Sequence, residues 1–142
     1  MVTTGDILGC WELVGAFEDR DGVIGLNPFL GENPKGFLHY LADNRVAVTV
    51  GLAGRKPYST ANRRLAPIEE LAESARTFDA YAGTFRFLGP DTIAHNIEVS
   101  TDHGDVGTDL VRRIAVEDDI LSLQPILPED IPPRWLEWRR LV

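Results

Sequence analysis

Residues 83–124 read GTFRFLGPDTIAHNIEVSTDHGDVGTDLVRRIAVEDDILSLQ, and this stretch decides the fold. Four β-prone runs, Gly83 to Leu88, Thr92 to Ser100, Thr108 to Val116 and Ile120 to Gln124, are punctuated by Gly89-Pro90-Asp91, Asp102-His103-Gly104-Asp105 and Glu117-Asp118-Asp119. Turn-forming clusters between such runs predict strands joined by tight reversals. Toward the C-terminus, Pro125 to Pro133 interrupts the chain before a last strand, Trp135 to Leu141. Toward the N-terminus, Gly36 to Leu41 and Arg45 to Leu52 flank Ala42-Asp43-Asn44 as a hairpin, and Leu8 to Phe17 (LGCWELVGAF) forms a first strand ending at the turn signal Asp21-Gly22. Val23 to Pro34 carries Gly25, Asn27-Pro28, Gly31 and Asn33-Pro34, too many breakers for a regular element. It reads as an extended loop over one end of the structure, and a basic, irregular stretch runs from Gly54 to Arg64.

One helix is predicted, Ala66 to Ala80. Ile68, Leu71, Ala75 and Phe78 recur at helical spacing, Pro67 suits the first turn, and Glu69 and Glu70 lie where the helix dipole favours negative charge. The helix is expected to plug or flank the sheet. The fold class is therefore all-β: a single domain over residues 1–142 with about eight short antiparallel strands and one helix. A closed barrel is favoured over a sandwich, because the strands follow one another through short turns and closure removes exposed edges. A barrel of eight strands has room for one small ligand.

The composition bounds the partners. Lys and Arg number 14 against 22 Asp and Glu, a formal charge of -8. An acidic surface repels phosphate backbones and anionic lipid, so neither nucleic acid nor membrane is an expected partner, and the charge favours solubility. Cys10 is the only cysteine, which excludes an intramolecular disulfide and a multi-thiolate zinc site. Met1 to Gly9 has no signal-peptide pattern and no run is apolar enough to span a membrane, so a cytoplasmic location is the default expectation. No Walker loop, dinucleotide fingerprint or nucleophile elbow is present, and no cofactor is expected.

Several segments resemble one family. Leu8-Gly9-Cys10-Trp11-Glu12-Leu13 is similar to the "GxW" first strand of lipocalins, and more closely to the "L-x-G-T-W-x-L-V" opening of the bacterial and fungal lipocalin-like domain family. Lys35-Gly36-Phe37-Leu38-His39-Tyr40 resembles that family's "P-x-G-x-L-x-Y" strand, and Tyr81-Ala82-Gly83-Thr84-Phe85 its "Y-x-G-T-Y". Ala94 to Glu98 resembles "T-H-x-V-E", Gly107 to Arg113 "G-T-x-x-x-R", and Leu136 to Arg139 the closing strand. The set covers most of the chain in the family's order. It departs at Cys10, where the family has Thr, at His39 beside Tyr40, and in the segment PILPEDIPP. The resemblance implies a small calycin-type barrel, and related small barrels of natural-product pathways act as cofactor-free cyclases or isomerases.

Six residues are candidates for a site. Alternation along Thr92 to Ser100 places His95 inside with Ile93, Ile97 and Val99, as an acid or base or as a satisfied core histidine. Tyr40 is expected inside, following the family motif, with His39 outside. His95 and Tyr40 are the catalytic candidates. Tyr81 offers a hydroxyl to a carbonyl oxygen. Arg112 shares an inward face with Leu110 and Ile114. In lipocalins an arginine packs over the first-strand tryptophan and closes one end; the resemblance puts that role first for Arg112, and if Arg139 or Arg140 fills it, Arg112 is freed for a ligand. Trp11 and Trp138 are core residues that also offer faces for stacking a ligand. Tyr81, Arg112, Trp11 and Trp138 are thus the substrate-binding set. Glu98 with the loop Asp102 to Asp105 is rejected as a metal site, because the run is ordinary turn chemistry. Cys10 has no base beside it in the sequence.

Two functions follow. One is a cofactor-independent isomerase or cyclase that orients a polyketide- or terpene-like substrate and polarises its carbonyl. The other is a carrier or sensor for an apolar ligand. In either case the expected partner is a small apolar molecule, with a homodimer left open.

Overall fold

The computed structural model describes all of residues 1–142. A short helical turn, α1 (Thr4–Ile7), leads into β1 (Gly9–Arg20), which forms a hairpin with β2 (Val23–Leu26). Then come β3 (Lys35–Leu41), β4 (Arg45–Gly51), α2 (Ile68–Arg76), β5 (Phe78–Phe87), β6 (Thr92–Ser100), β7 (Asp109–Glu117), β8 (Ile120–Pro125) and β9 (Arg134–Arg140). Strands β3 to β9 pair antiparallel in sequence order, and β1 closes the sheet by pairing with β3 through Gly9↔Tyr40 and with β9 through Trp11↔Arg140. Eight strands thus form a closed barrel, with β2 a ribbon on the far half of β1.

Alternation builds the inside. On β3 Gly36, Leu38 and Tyr40 are buried, and their partners Val50, Val48 and Val46 on β4 are buried too. A period of two on both strands puts these pairs on one face. The regions read as tight reversals do reverse tightly: Asp118 has a positive φ between paired Glu117 and Ile120.

Three expectations are corrected. Val23 to Leu26 is a strand, because Asp21 and Gly22 both take positive φ, the geometry that turns β1 directly into a hairpin partner despite Gly25. The helix is shorter than Ala66 to Ala80, since Phe78 to Ala80 pair with Gly51 to Thr49 as the start of β5. It plugs nothing: no residue of α2 is buried. Its polar side is tied to the preceding loop, Glu70 accepting from Ser59 N and Oγ (2.7 and 2.6 Å) and Arg55 donating to Ser74 Oγ (3.1 Å) and Thr77 Oγ1 (3.0 Å), while Ile68 and Leu71 face solvent. Finally, Val99 is not inside but 62% exposed. The register between β5 and β6 shifts from Ala82↔Val99 to Gly83↔Ile97, leaving Glu98 as the extra residue of a bulge, so Ser100 rather than Val99 lies opposite Tyr81. The strands approach closely here, and a Cβ on Gly83 would stand 1.8 Å from the Asn96 carbonyl oxygen.

The two ends differ. The turns β3–β4, β5–β6 and β7–β8 gather at one end with α1, which shuts it: Ile7 is fully buried and its carbonyl accepts from Trp11 Nε1 (2.9 Å). The guanidinium of Arg140 lies 4.2 Å over the Trp11 ring and donates to the carbonyls of Leu8 (2.9 Å) and Asp6. At the other end stand the longer connections, residues 27–34, 52–77, 101–108 and 126–133, and the cavity beneath them, edged by Leu30, Thr101, Asp102 and Asp105, is partly open to solvent.

Candidate functional site

Between the closed end and the mouth, three strands bring together residues that are distant in sequence. Tyr40 on β3 and Tyr81 on β5 both point inward and meet His95 of β6 from opposite sides: Tyr40 Oη lies 2.7 Å from His95 Nε2, and Tyr81 Oη 2.7 Å from His95 Nδ1. Tyr40 and His95 are fully buried, with Phe85 edge-on to Tyr40 at 5.0 Å.

All three groups are neutral at physiological pH. Burial, with a smaller contribution from the positive charge of Arg112, pushes His95 down to about 3. Burial raises the Tyr40 hydroxyl well above its usual value of 10, and raises Tyr81 to about 12. A neutral imidazole donates from one nitrogen and accepts at the other. Tyr40 has no partner except His95, so its proton must go to Nε2; otherwise a fully buried hydroxyl would be left without an acceptor, at about 1–3 kcal/mol. The His95 proton is then on Nδ1 and is donated to Tyr81. The Tyr81 oxygen therefore accepts from His95, and its own proton remains free.

That proton is at a cavity. Tyr81 lines a space of about 290 Å³ under the open mouth, together with Arg112 and Trp138. Val48, Val50, Leu110, Leu123 and Leu136 supply its apolar wall, and Asp79, Ser100, Thr101, Asp102 and Asp105 line it as well. Three arginines share the inward parity of their strands, and they differ in their bonds. Arg140 is held by two carbonyls, Arg134 lies 3.6 Å from the buried Glu18 carboxylate, and Arg112 donates only to the carbonyl of neighbouring Val111 (3.2 Å), with no ion pair. The stacking arginine is thus Arg140, and Arg112 is on the cavity wall. The buried Trp138 Nε1 has no hydrogen-bond partner either.

Of the six candidate residues, Tyr81, Arg112 and Trp138 line the cavity. Tyr40 and His95 lie behind Tyr81, and Trp11 lies apart from the cavity in the closed end. Glu98 is outside, paired with Arg45. Two features were missed. Asp79, two residues before Tyr81, lines the same cavity, and parity along β5 identifies it once Phe78 to Ala80 are read as strand. Cys10 stands opposite His39 on the outer face, Sγ 4.0 Å from Nε2, a cross-strand pairing that the local sequence does not contain.

The family model of the lipocalin-like domain matches residues 8–140. The chain belongs to the lipocalin-like domain family. No curated protein matches its sequence. A lipocalin-like barrel is an architecture suited to binding a small molecule, and the apolar part of this cavity is consistent with a small apolar ligand.

Proposed function

We propose that this lipocalin-like barrel takes up a small, largely apolar carbonyl compound through its open end and rearranges it without a cofactor, as an isomerase or cyclase. The observation that supports this reading is the Tyr81 hydroxyl, which keeps its proton in the His95 tautomer argued above, on a cavity wall shared with an Arg112 guanidinium that has no ion pair. Two donors beside one apolar space suit an oxygen on which negative charge grows, and in a water-poor cavity such donors act more strongly than in solution. The Tyr40–His95 pair passes no net proton, because that would leave a buried tyrosinate. It fixes the direction of the Tyr81 hydroxyl.

A test is to present hydrophobic ketones and enones to the protein, following binding by tryptophan fluorescence and product by NMR. Under this reading, Tyr81→Phe and Arg112→Gln each lower the rate about 10- to 1,000-fold while affinity changes by less than about 10-fold. A carrier is the second reading, favoured by the mutual bonds that occupy Tyr40 and His95 below the cavity. It is the correct one if bound ketones are recovered unchanged and both variants alter affinity alone.

A further inference from the structure

We propose that Asp79 is the general base of this site, moving a proton between carbon atoms of the carbonyl compound that Tyr81 and Arg112 hold, so that the rearrangement is an enolisation or an allylic double-bond shift. The assignment rests on the function proposed above.

The placement comes from one strand. Asp79 and Tyr81 are two apart on β5, opposite Val50 and Val48 of β4, whose side chains are both buried in the barrel. Residues i and i+2 share a face with their Cα atoms about 7 Å apart. Tyr81 is the deeper of the two and Asp79 is at the lip, and both line the single cavity that also carries Arg112. A carbonyl compound seated by its oxygen on Tyr81 and Arg112 has Asp79 on the wall of the same cavity.

The surroundings suit a base. Asp79 has no ion pair. Asp79 is exposed at the lip, and the desolvation it does undergo, then the like charges of Asp102 and Asp105, raise its carboxyl from its usual value, with the Thr101 hydroxyl acting against them. A stronger carboxylate base than a free one results. His95, the sequence-level candidate for this task, is sealed behind Tyr81 and holds no proton-accepting site toward the cavity.

The step balances without an added reagent. An Asp79 oxygen takes a proton from the carbon next to the carbonyl. That C–H pair becomes the new C=C bond, and the carbonyl π pair moves onto oxygen, where the Tyr81 hydroxyl and the Arg112 guanidinium stabilise the enolate. Asp79 then returns the proton to the same carbon, or to the far carbon of a conjugated double bond, and the carbonyl re-forms.

The test uses β-tetralone, a two-ring enolisable ketone, in deuterated buffer. Binding is read by quenching of tryptophan fluorescence and exchange by loss of the α-proton NMR signal, relative to buffer alone. Wild-type protein is expected to bind it and accelerate exchange. Asp79→Asn is expected to bind with affinity within about 10-fold while exchange falls at least about 100-fold, and Asp79→Glu to restore part of it. Exchange retained in Asp79→Asn overturns the base assignment and leaves the function proposed above standing. A wild-type protein that binds the ketone without accelerating exchange overturns enolisation as the reaction. Failure to bind β-tetralone at all counts against the carbonyl-binding reading on which the assignment rests.

Discussion

The closed end and the mouth of this barrel each hold an inward arginine near a tryptophan, and the two pairs are built to opposite effect. Arg140 at the closed end stacks on Trp11 and gives its protons to the backbone of Leu8 and Asp6. Arg112 near the mouth shares its cavity with Trp138 and has one bond, to the carbonyl beside it. At the closed end Trp11 and Arg140 both donate to backbone carbonyls, so the groups there add to stability. At the other, Tyr81, Arg112 and Trp138 share one cavity wall with donors to spare, and an accepting oxygen of a ligand would satisfy them.

The largest effect expected is at the closed end. Trp11→Ala removes a fully buried ring together with the bond to Ile7, and about 3–5 kcal/mol of stability should be lost in denaturant unfolding. An unfolding midpoint close to that of wild type would mean that this end is not the anchor described.

Acid should then act through the interior. His95 is held near 3 in the folded chain against an ordinary value of 6.5, so the unfolded state takes up a proton first as pH falls. The stability contributed by a neutral His95 is complete above about 6.5 and is lost progressively down to about 3, at up to ~1.4 kcal/mol per pH unit. Unfolding curves across that window should show the decline, and His95→Gln, less stable at neutral pH, should show a shallower one.

Tyr40→Phe leaves Nε2 of His95 without its buried donor and should cost about 1–3 kcal/mol. It also releases His95 from the tautomer that aims Tyr81, so ketone turnover should fall along with stability. Arg112→Leu sharpens the comparison most at the smallest cost in stability, within about 1 kcal/mol of wild type, because the side chain it removes has a single hydrogen bond. Arg140→Leu should cost at least about 2 kcal/mol from its stack and two backbone bonds. Equal losses for the two arginine variants would erase the distinction between the ends.

Much of this was legible in the sequence, for reasons that locate the failures. Tight turns such as Glu117-Asp118-Asp119 are encoded by residues that tolerate positive φ, so strand order could be read directly. Alternation alone puts His95 inside, and the last strand offers Arg140 as one alternative for the stacking arginine. Alternation misplaces Val99, because a bulge depends on how β5 approaches β6 at Gly83, which the pattern along one strand does not contain. Asp79 was hidden because Phe78 continued the helical spacing of Ile68, Leu71 and Ala75, although pairing with β4 makes it strand. The Tyr40–His95–Tyr81 chain joins three strands separated by up to 55 residues, and nothing local announces it.

The central claim is that Tyr81 has a free proton because His95 carries its own on Nδ1. Nitrogen NMR of histidine-labelled protein at neutral pH, with His39 and His103 replaced to leave one signal pair, reads this directly. The account predicts a neutral ring protonated at Nδ1 and accepting at Nε2. A neutral ring with its proton on Nε2 would mean that Tyr81 spends its proton on His95 Nδ1 and has none for a ligand, contradicting the account.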